Sequence, residues 1–205
     1  CPNPYAAQLV REVGTQGGLG GIAWHCYAGN ASSMNDFHNA NPNIALFETE
    51  CSSGPWASAS NLPSDYFAAA RSLVFDSASN WSQTTIFWPL ALDENFGPQN
   101  NGCSNCRGLV SITSDGSSYA LSPEYYALAH IGRFVRDGAV RLATTSAHGT
   151  VRNIAFLNID KTILLFGYNE SPSTQDVDVA CGRTHFHYKI PGNGTVSLRW
   201  NQLDF

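Results

Sequence analysis

Residues 44–51 read Ile-Ala-Leu-Phe-Glu-Thr-Glu-Cys. Four apolar residues run straight into two acids, with no turn residue between them. An apolar run without polar alternation predicts a strand buried on both faces, as in a parallel sheet. The neighbouring segments repeat the design: 19–24 is apolar and ends in His25, Cys26 and Tyr27, and 84–92 ends in Asp93 and Glu94. Helical stretches alternate with them. Residues 4–13 are opened by Pro4 and closed at Gly14; 30–40 stop before Pro42; 64–78 start at a capping Ser64 and carry apolar positions at 67, 70, 74 and 78; 122–135 follow Ser122 with Pro123 in the first turn. Helix alternating with strand predicts a parallel α/β unit, whose chemistry sits at the carboxyl ends of its strands. From Asn95 to Gly108 the chain reads as a loop rich in Gly, Asn, Gln and Cys. After Gly138 the texture changes. Short strands are expected at 140–143, 152–157, 162–168, 176–180, 184–189 and 196–200, separated by turns such as Pro-Gly-Asn-Gly at 191–194, which is the pattern of an antiparallel β unit. The expected boundary lies near Asp137, giving domains 1–137 and 138–205. Three parallel strands suit either a small three-stranded α/β domain or the second half of a barrel whose first strands lie elsewhere; rhythm alone leaves both open.

The chain has 205 residues, a formal charge of -5, 43% hydrophobic and 12% aromatic residues, and only 13% charged ones. Such a composition excludes a disordered tail. Eleven scattered Lys and Arg make no electropositive stripe, so nucleic acid is not an expected partner. No apolar run reaches the length of a membrane helix, and no signal peptide is visible. The first residue is Cys1 and not Met, so the expectation is a trimmed chain or one that begins partway through a longer protein. Six cysteines, two lysines and four Asn-x-Ser/Thr triplets, opening at Asn30, Asn80, Asn169 and Asn193, together favour an oxidising setting: secreted or extracellular, with a lysosome-type compartment as the alternative.

Glu50 is the first candidate for chemistry, since a carboxylate at the exit of a barrel strand is either a solvated loop charge or a catalytic group. Glu48 is expected on the same side of the strand. Two acids on one strand splay along it, however, whereas glycoside hydrolysis needs carboxyls on opposite sides of the scissile bond, about 5–5.5 Å apart for retention or about 6.5–9.5 Å for inversion. His25 and Tyr27 share a face of the preceding strand end and are placed to donate to Glu50 if the strands are neighbours. Trp24, Trp56, Trp81 and Trp88 are either core packing or sugar-stacking surfaces, and their company of Tyr, Asn and Glu favours a carbohydrate cleft. Cys103-x-x-Cys106 has zinc-knuckle spacing, but no second ligand pair completes a site, so a local disulfide is expected there and no metal. Cys26 and Cys51 are either bridged or two buried thiols. The glycines at 17–21 precede a strand, which disqualifies them as a phosphate cradle, and no Gly-x-Ser-x-Gly elbow is present. No cofactor is expected.

IAWHCYAG (22–29), LFETECSSG (46–54), FWPLALDENFGP (87–98), CSNCRGLVSI (103–112) and EYYALAHIGRFV (124–135) resemble, in order and spacing across nearly the whole chain, the glucosylceramidase-like glycosidases of glycoside hydrolase family 30. The resemblance implies α/β plus β architecture: the C-terminal part of a (β/α)8 TIM barrel, strands six to eight ending at Tyr27, Glu50 and Leu92, followed by part of an antiparallel β-sandwich. It implies an O-glycosyl hydrolase that cleaves β-glycosidic, above all β-glucosidic, bonds with retention. Glu50 is the implied nucleophile, His25 and Tyr27 its supports, and Trp88 and Trp56 the substrate-binding aromatics. Glu48 does not match as the nucleophile. The acid/base glutamate of the family sits behind an Asn on strand four and has no counterpart here, so the N-terminal part of the same protein, as one chain or two, is an implied partner. Pro89 stands where members commonly carry Asn. The Cys-x-x-Cys-Arg-Gly loop is similar to microbial and fungal relatives, some acting on β-1,6-glucan, so the implied substrate is a β-glucan or β-glucoside, with a glycolipid also open. β-1,6-Galactan, fucoside or xyloside substrates are alternatives, and a non-catalytic carbohydrate-binding or structural remnant of the same fold is the rival of another class.

Overall fold

The computed structural model describes residues 3–14, 17–56, 62–146 and 149–202, and Cys1 lies outside them. The chain divides into two units, 1–127 and 128–205.

The first unit opens with helix α1 (Asn3–Val13), strand β1 (Gly21–His25), helix α2 (Ser32–Ala40) and strand β2 (Ala45–Cys51). A helical stretch follows: α3 (Leu62–Ala69), a π-helical segment (Ala70–Asp76) and a short α4 (Ser77–Ser79). Strand β3 (Ser82–Phe87) completes a parallel sheet of order β1-β2-β3. Crossover helices demand this parallel arrangement, because a strand that must re-enter in the same direction needs a long connection. The apolar run that predicts β2 puts Leu46 into a cluster with Ala6, Ile22, Trp24, Met34 and Phe37. The cluster fastens α1 and α2 to one face of the sheet. Trp24 meets Phe37 edge to face, ring centres 5.9 Å apart. Leu46 and Phe37 are each 1% exposed, and side chains of that size stabilise by about 1.5–3 kcal/mol when fully buried.

The single strand expected over 84–92 is divided. It leaves the sheet after Phe87, and the chain resumes as β4 (Ala91–Asp93), which pairs in parallel with β5 (Val110–Ile112). Pro89 supplies the physical reason, since it has no N–H for the ladder. β6 (Tyr119–Leu121) adds antiparallel to β5, giving a second small sheet that the sequence reading did not anticipate. Helix α5 (Pro123–Gly132) then carries the chain from the first unit into the second.

The second unit is all β. β7 (Val140–Leu142), β8 (Val151–Leu157), β9 (Thr162–Asn169) and β12 (Thr195–Asn201) form an antiparallel sheet of order β12-β9-β8-β7, while β10 (Gln175–Cys181) and β11 (Thr184–Ile190) form a hairpin. Strand β9 is central, and Ile163, Leu164 and Phe166 are at most 2% exposed. Val151, Ile190 and Val196 form a core cluster, with Val177 and Leu198 packed against it. The structure is thus a mixed α/β region followed by antiparallel sheets.

Candidate active site

The carboxyl ends of β1 and β2 meet because the strands are parallel neighbours. Their register runs Gly21 to Ala45, Ile22 to Leu46, Ala23 to Phe47 and Trp24 to Glu48, and then slips so that His25 faces Glu50. Thr49 is the extra residue of a bulge, a device that re-aims side chains at strand ends. Its hydroxyl reaches back to the Trp24 carbonyl.

The slip corrects the expectation that Glu48 and Glu50 share one side. Strict alternation fails where two residues oppose one. Glu48 is 3% exposed, and its backbone N–H donates to Ser82 Oγ at 2.7 Å. Burial first, then the nearby Asp76 carboxylate, push its carboxyl up to about 7, against a hydrogen bond from Ser77 that lowers it. Glu50 instead keeps a side chain 39% exposed, and its Oε1 accepts a 2.7 Å hydrogen bond from Tyr27 Oη. His25 Nε2 stands 4.0 Å from Glu50 Oε2, and the His25 ring meets the Tyr27 ring edge to face at 5.8 Å. Burial raises the Tyr27 hydroxyl above its ordinary value; a Ser52 hydrogen bond opposes this, and the Glu50 carboxylate reinforces it. The phenol therefore stays a donor at neutral pH.

One covalent and two backbone ties hold this arrangement. Cys26 and Cys51, each next in sequence to a member of the cluster, are joined by a disulfide with Cα atoms 5.2 Å apart, which resolves the choice between a bridge and two thiols. Cys26 N–H donates to the Glu50 carbonyl at 3.2 Å, and Trp88 N–H donates to the Cys51 carbonyl at 2.8 Å. Trp88 is thereby fixed beside the end of β2, 40% exposed. Trp56 follows on the loop after β2, 50% exposed, with its ring so close over Gly54 that an added Cβ would come within 1.9 Å of it.

That loop is anchored by a group the sequence reading missed. Arg107 N–H donates to the Ser53 carbonyl at 2.8 Å. Its guanidinium grips Glu124 with two hydrogen bonds, at 2.7 and 3.2 Å, and Asp65 with one at 2.9 Å. Glu124 is wholly buried. The signal available was Arg107 directly after Cys106, followed by an acid in the first turn of α5. Cys103 and Cys106 are themselves bridged, with Cα atoms 5.6 Å apart.

Two exposed aromatics, a carboxylate with a phenol donor and an imidazole within reach make a surface suited to a neutral, hydroxyl-rich, ring-shaped ligand. The carboxylate is the group there able to attack an electrophilic carbon. Among the described residues no group of three or more His, Cys, Asp or Glu is placed to hold a metal ion. The other tryptophans are accounted for differently. Trp24 is core, and Trp81 stacks on His38 at 3.9 Å and donates to Asn35. The four Asn-x-Ser/Thr triplets divide by burial: Asn30 and Asn193 are exposed, Asn80 is half-buried and Asn169 is fully buried.

Comparison with known proteins gives consistent matches. The family model described as the glycosyl hydrolase family 30 beta sandwich domain matches residues 138–198. Endo-1,6-beta-D-glucanase of Neurospora crassa is 35% identical over 148 residues, covering 70% of this chain and 29% of the relative. Endo-1,6-beta-D-glucanase neg1 of Aspergillus fumigatus is 33% identical over 150 residues, covering 69% and 29%. A solved endo-beta1,6-glucanase superposes with TM-score 0.87 at 30% identity, over 98% of this chain and 45% of that one. The chain therefore spans less than half the length of these relatives.

Proposed function

Because the chain belongs to glycoside hydrolase family 30, we propose that it carries the nucleophile half of a retaining β-glycosidase. In this reading residues 1–137 supply strands six to eight of the catalytic (β/α)8 barrel, and 138–205 supply part of the side β-sandwich. The rest of the barrel, with the acid/base glutamate, comes from an N-terminal portion of the same protein.

One observation carries the assignment: Glu50 stands at the carboxyl end of its strand with Tyr27 Oη donating to it at 2.7 Å. A nucleophilic carboxylate must be ionised, held in one rotamer and open to the anomeric carbon. The Tyr27 hydrogen bond favours the charge and fixes the rotamer, the His25 Nε2 stands 4.0 Å from the other carboxylate oxygen, and the exposed edge leaves the attack line free. The first step forms a bond from Glu50 to the anomeric carbon as the leaving oxygen takes a proton from the acid/base. In the second step the same group deprotonates water, which displaces Glu50. Glu48 has no part in this chemistry, since its carboxyl is buried away from the strand end.

A β-1,6-linked glucan is the favoured substrate, supported by the names of the two fungal relatives and of the solved structure, all 30–35% identical. Trp88 and Trp56 offer faces for its glucose rings. Secretion is supported by the two disulfides.

The test uses the complete enzyme and a 2-deoxy-2-fluoro glucoside, which lets the covalent intermediate accumulate, followed by peptide mass mapping. The adduct is expected on Glu50, and Glu50→Gln is expected to lower turnover by more than about 10³, the upper cost of losing a single transition-state donor. An adduct on Glu48, or near-normal turnover in Glu50→Gln, overturns the assignment. Absence of any adduct in a protein that still binds glucan favours the non-catalytic remnant.

A further inference from the structure

We propose that Asn193 is an N-glycan attachment site and that Asn169, which opens the same kind of triplet, carries no glycan in the folded protein. Both triplets meet at one turn. Asn169 closes β9 and is wholly buried. Its Nδ2 donates to the carbonyls of Ser173 at 2.8 Å, Ile190 at 3.1 Å and Pro191 at 3.0 Å, and its Oδ1 accepts from Ser171 N–H at 3.0 Å. Its backbone N–H donates to the Gly194 carbonyl at 2.9 Å. The side-chain amide and the backbone N–H of this one residue thus hold the chain on both sides of the Pro191–Gly194 turn. The turn packs tightly on the 172–173 segment, where a Cβ on Gly192 would come within 2.0 Å of the Pro172 carbonyl oxygen.

Asn193 sits at the tip of that turn and is exposed. Its φ of 52° is in the left-handed region that Asn tolerates, and its backbone N–H donates to the Ser171 carbonyl at 2.8 Å. Among the described residues its side-chain amide has no hydrogen-bond partner, so replacing one of its hydrogens breaks nothing. The side chain of the first triplet builds the turn that displays the second.

The modification joins Asn193 Nδ2 to the anomeric carbon of an N-acetylglucosamine carried on a lipid-linked oligosaccharide pyrophosphate. One Nδ2–H bond breaks and its proton goes to base. The lipid pyrophosphate leaves with the electron pair of the broken C–O bond. In the folded protein Thr195 Oγ1 shares a hydrogen bond with His130 Nε2 at 3.1 Å, so the triplet's hydroxyl is engaged and transfer belongs to the unfolded chain. Folding then acts as the filter. A glycan on Asn193 points to solvent, whereas one on Asn169 would break the hydrogen bonds of its buried amide. The Cys26–Cys51 and Cys103–Cys106 bridges suit the oxidising compartment in which such donors are found.

The test is to secrete the complete enzyme from a glycosylating yeast, release N-glycans with an amidase in 18O-water, and map the peptides. Asn193 is expected to appear as 18O-labelled aspartate and Asn169 as unmodified asparagine. Asn193→Gln should lose one glycan mass and keep its thermal midpoint, while Asn169→Gln should be secreted at a small fraction of the wild-type yield. A label on Asn169 in folded, secreted protein, an unlabelled Asn193, or wild-type yield of Asn169→Gln each overturns the proposal.

Discussion

Burial leaves Glu48 with one carboxylate oxygen, Oε1, that finds no hydrogen-bond partner among the described residues, and the cost of ionising it there has a measurable sign. An unfolded glutamate titrates near about 4.3, whereas this one is pushed up to about 7. The folded state therefore holds the proton more tightly. Its contribution to stability is complete below about 4.3 and is lost as pH climbs through about 7. A gap of this size corresponds to something on the order of 3 kcal/mol. The complete protein carrying Glu48→Gln should lose less stability than wild type between pH 4 and pH 8, and should be the more stable of the two at the upper end. Thermal midpoints across that interval check it, and parallel pH slopes would refute it. The resemblance already told Glu50 from Glu48, but residue spacing could not put the two on different sides of the strand, because that comes from one extra residue, Thr49, and nothing about a threonine in a β-rich run announces a bulge. The convergence of Glu50, Tyr27 and His25 was readable, since apolar strands ending in polar residues place those residues at one edge of a parallel sheet.

The loop from Asn95 to Gly108 is tied near its end by Arg107, whose guanidinium bonds Glu124 and Asp65. Removing one partner of a buried ion pair leaves the other charge without compensation, at a cost of about 3–5 kcal/mol. Arg107→Met should destabilise the complete protein by that amount in urea unfolding, since it removes the guanidinium from Glu124 and Asp65. Adding Glu124→Leu should restore much of the loss by removing the stranded carboxylate. If Arg107→Met unfolds with the wild-type midpoint, the anchor is not energetically significant. The elements around this loop were the hardest to read. Strands β5 and β6 have three residues each, too few for a period of two to rise above chance, although Ser114-Asp115-Gly116-Ser117 between them is ordinary hairpin punctuation. The division of 84–92 was readable in principle from Pro89. A long apolar run outweighed the missing donor in the reading, and the missing donor prevailed in the fold.

The three-stranded sheet is open on both sides among the described residues: β1 and β3 each pair on one edge only. Ile86 is 51% exposed and Leu90 70%. Unpaired edges and bare apolar side chains promote self-association. The 205-residue chain expressed alone should therefore aggregate or remain partly ordered, and co-expression with the N-terminal portion proposed above should restore solubility. Sedimentation with a thermal melt decides it, since a monodisperse monomer with a cooperative transition would contradict the expectation. The Cys26–Cys51 bridge has a consequence for protein engineering. Residues 21–51 contain two adjacent strands, the helix between them, the carboxylate proposed as nucleophile, both of its neighbours and a covalent lock that sets their spacing. That makes the stretch a transplantable cassette: grafted into another parallel α/β scaffold at matching strands, it would bring its own alignment with it, leaving the designer to supply the sugar-facing aromatics and an opposing proton donor.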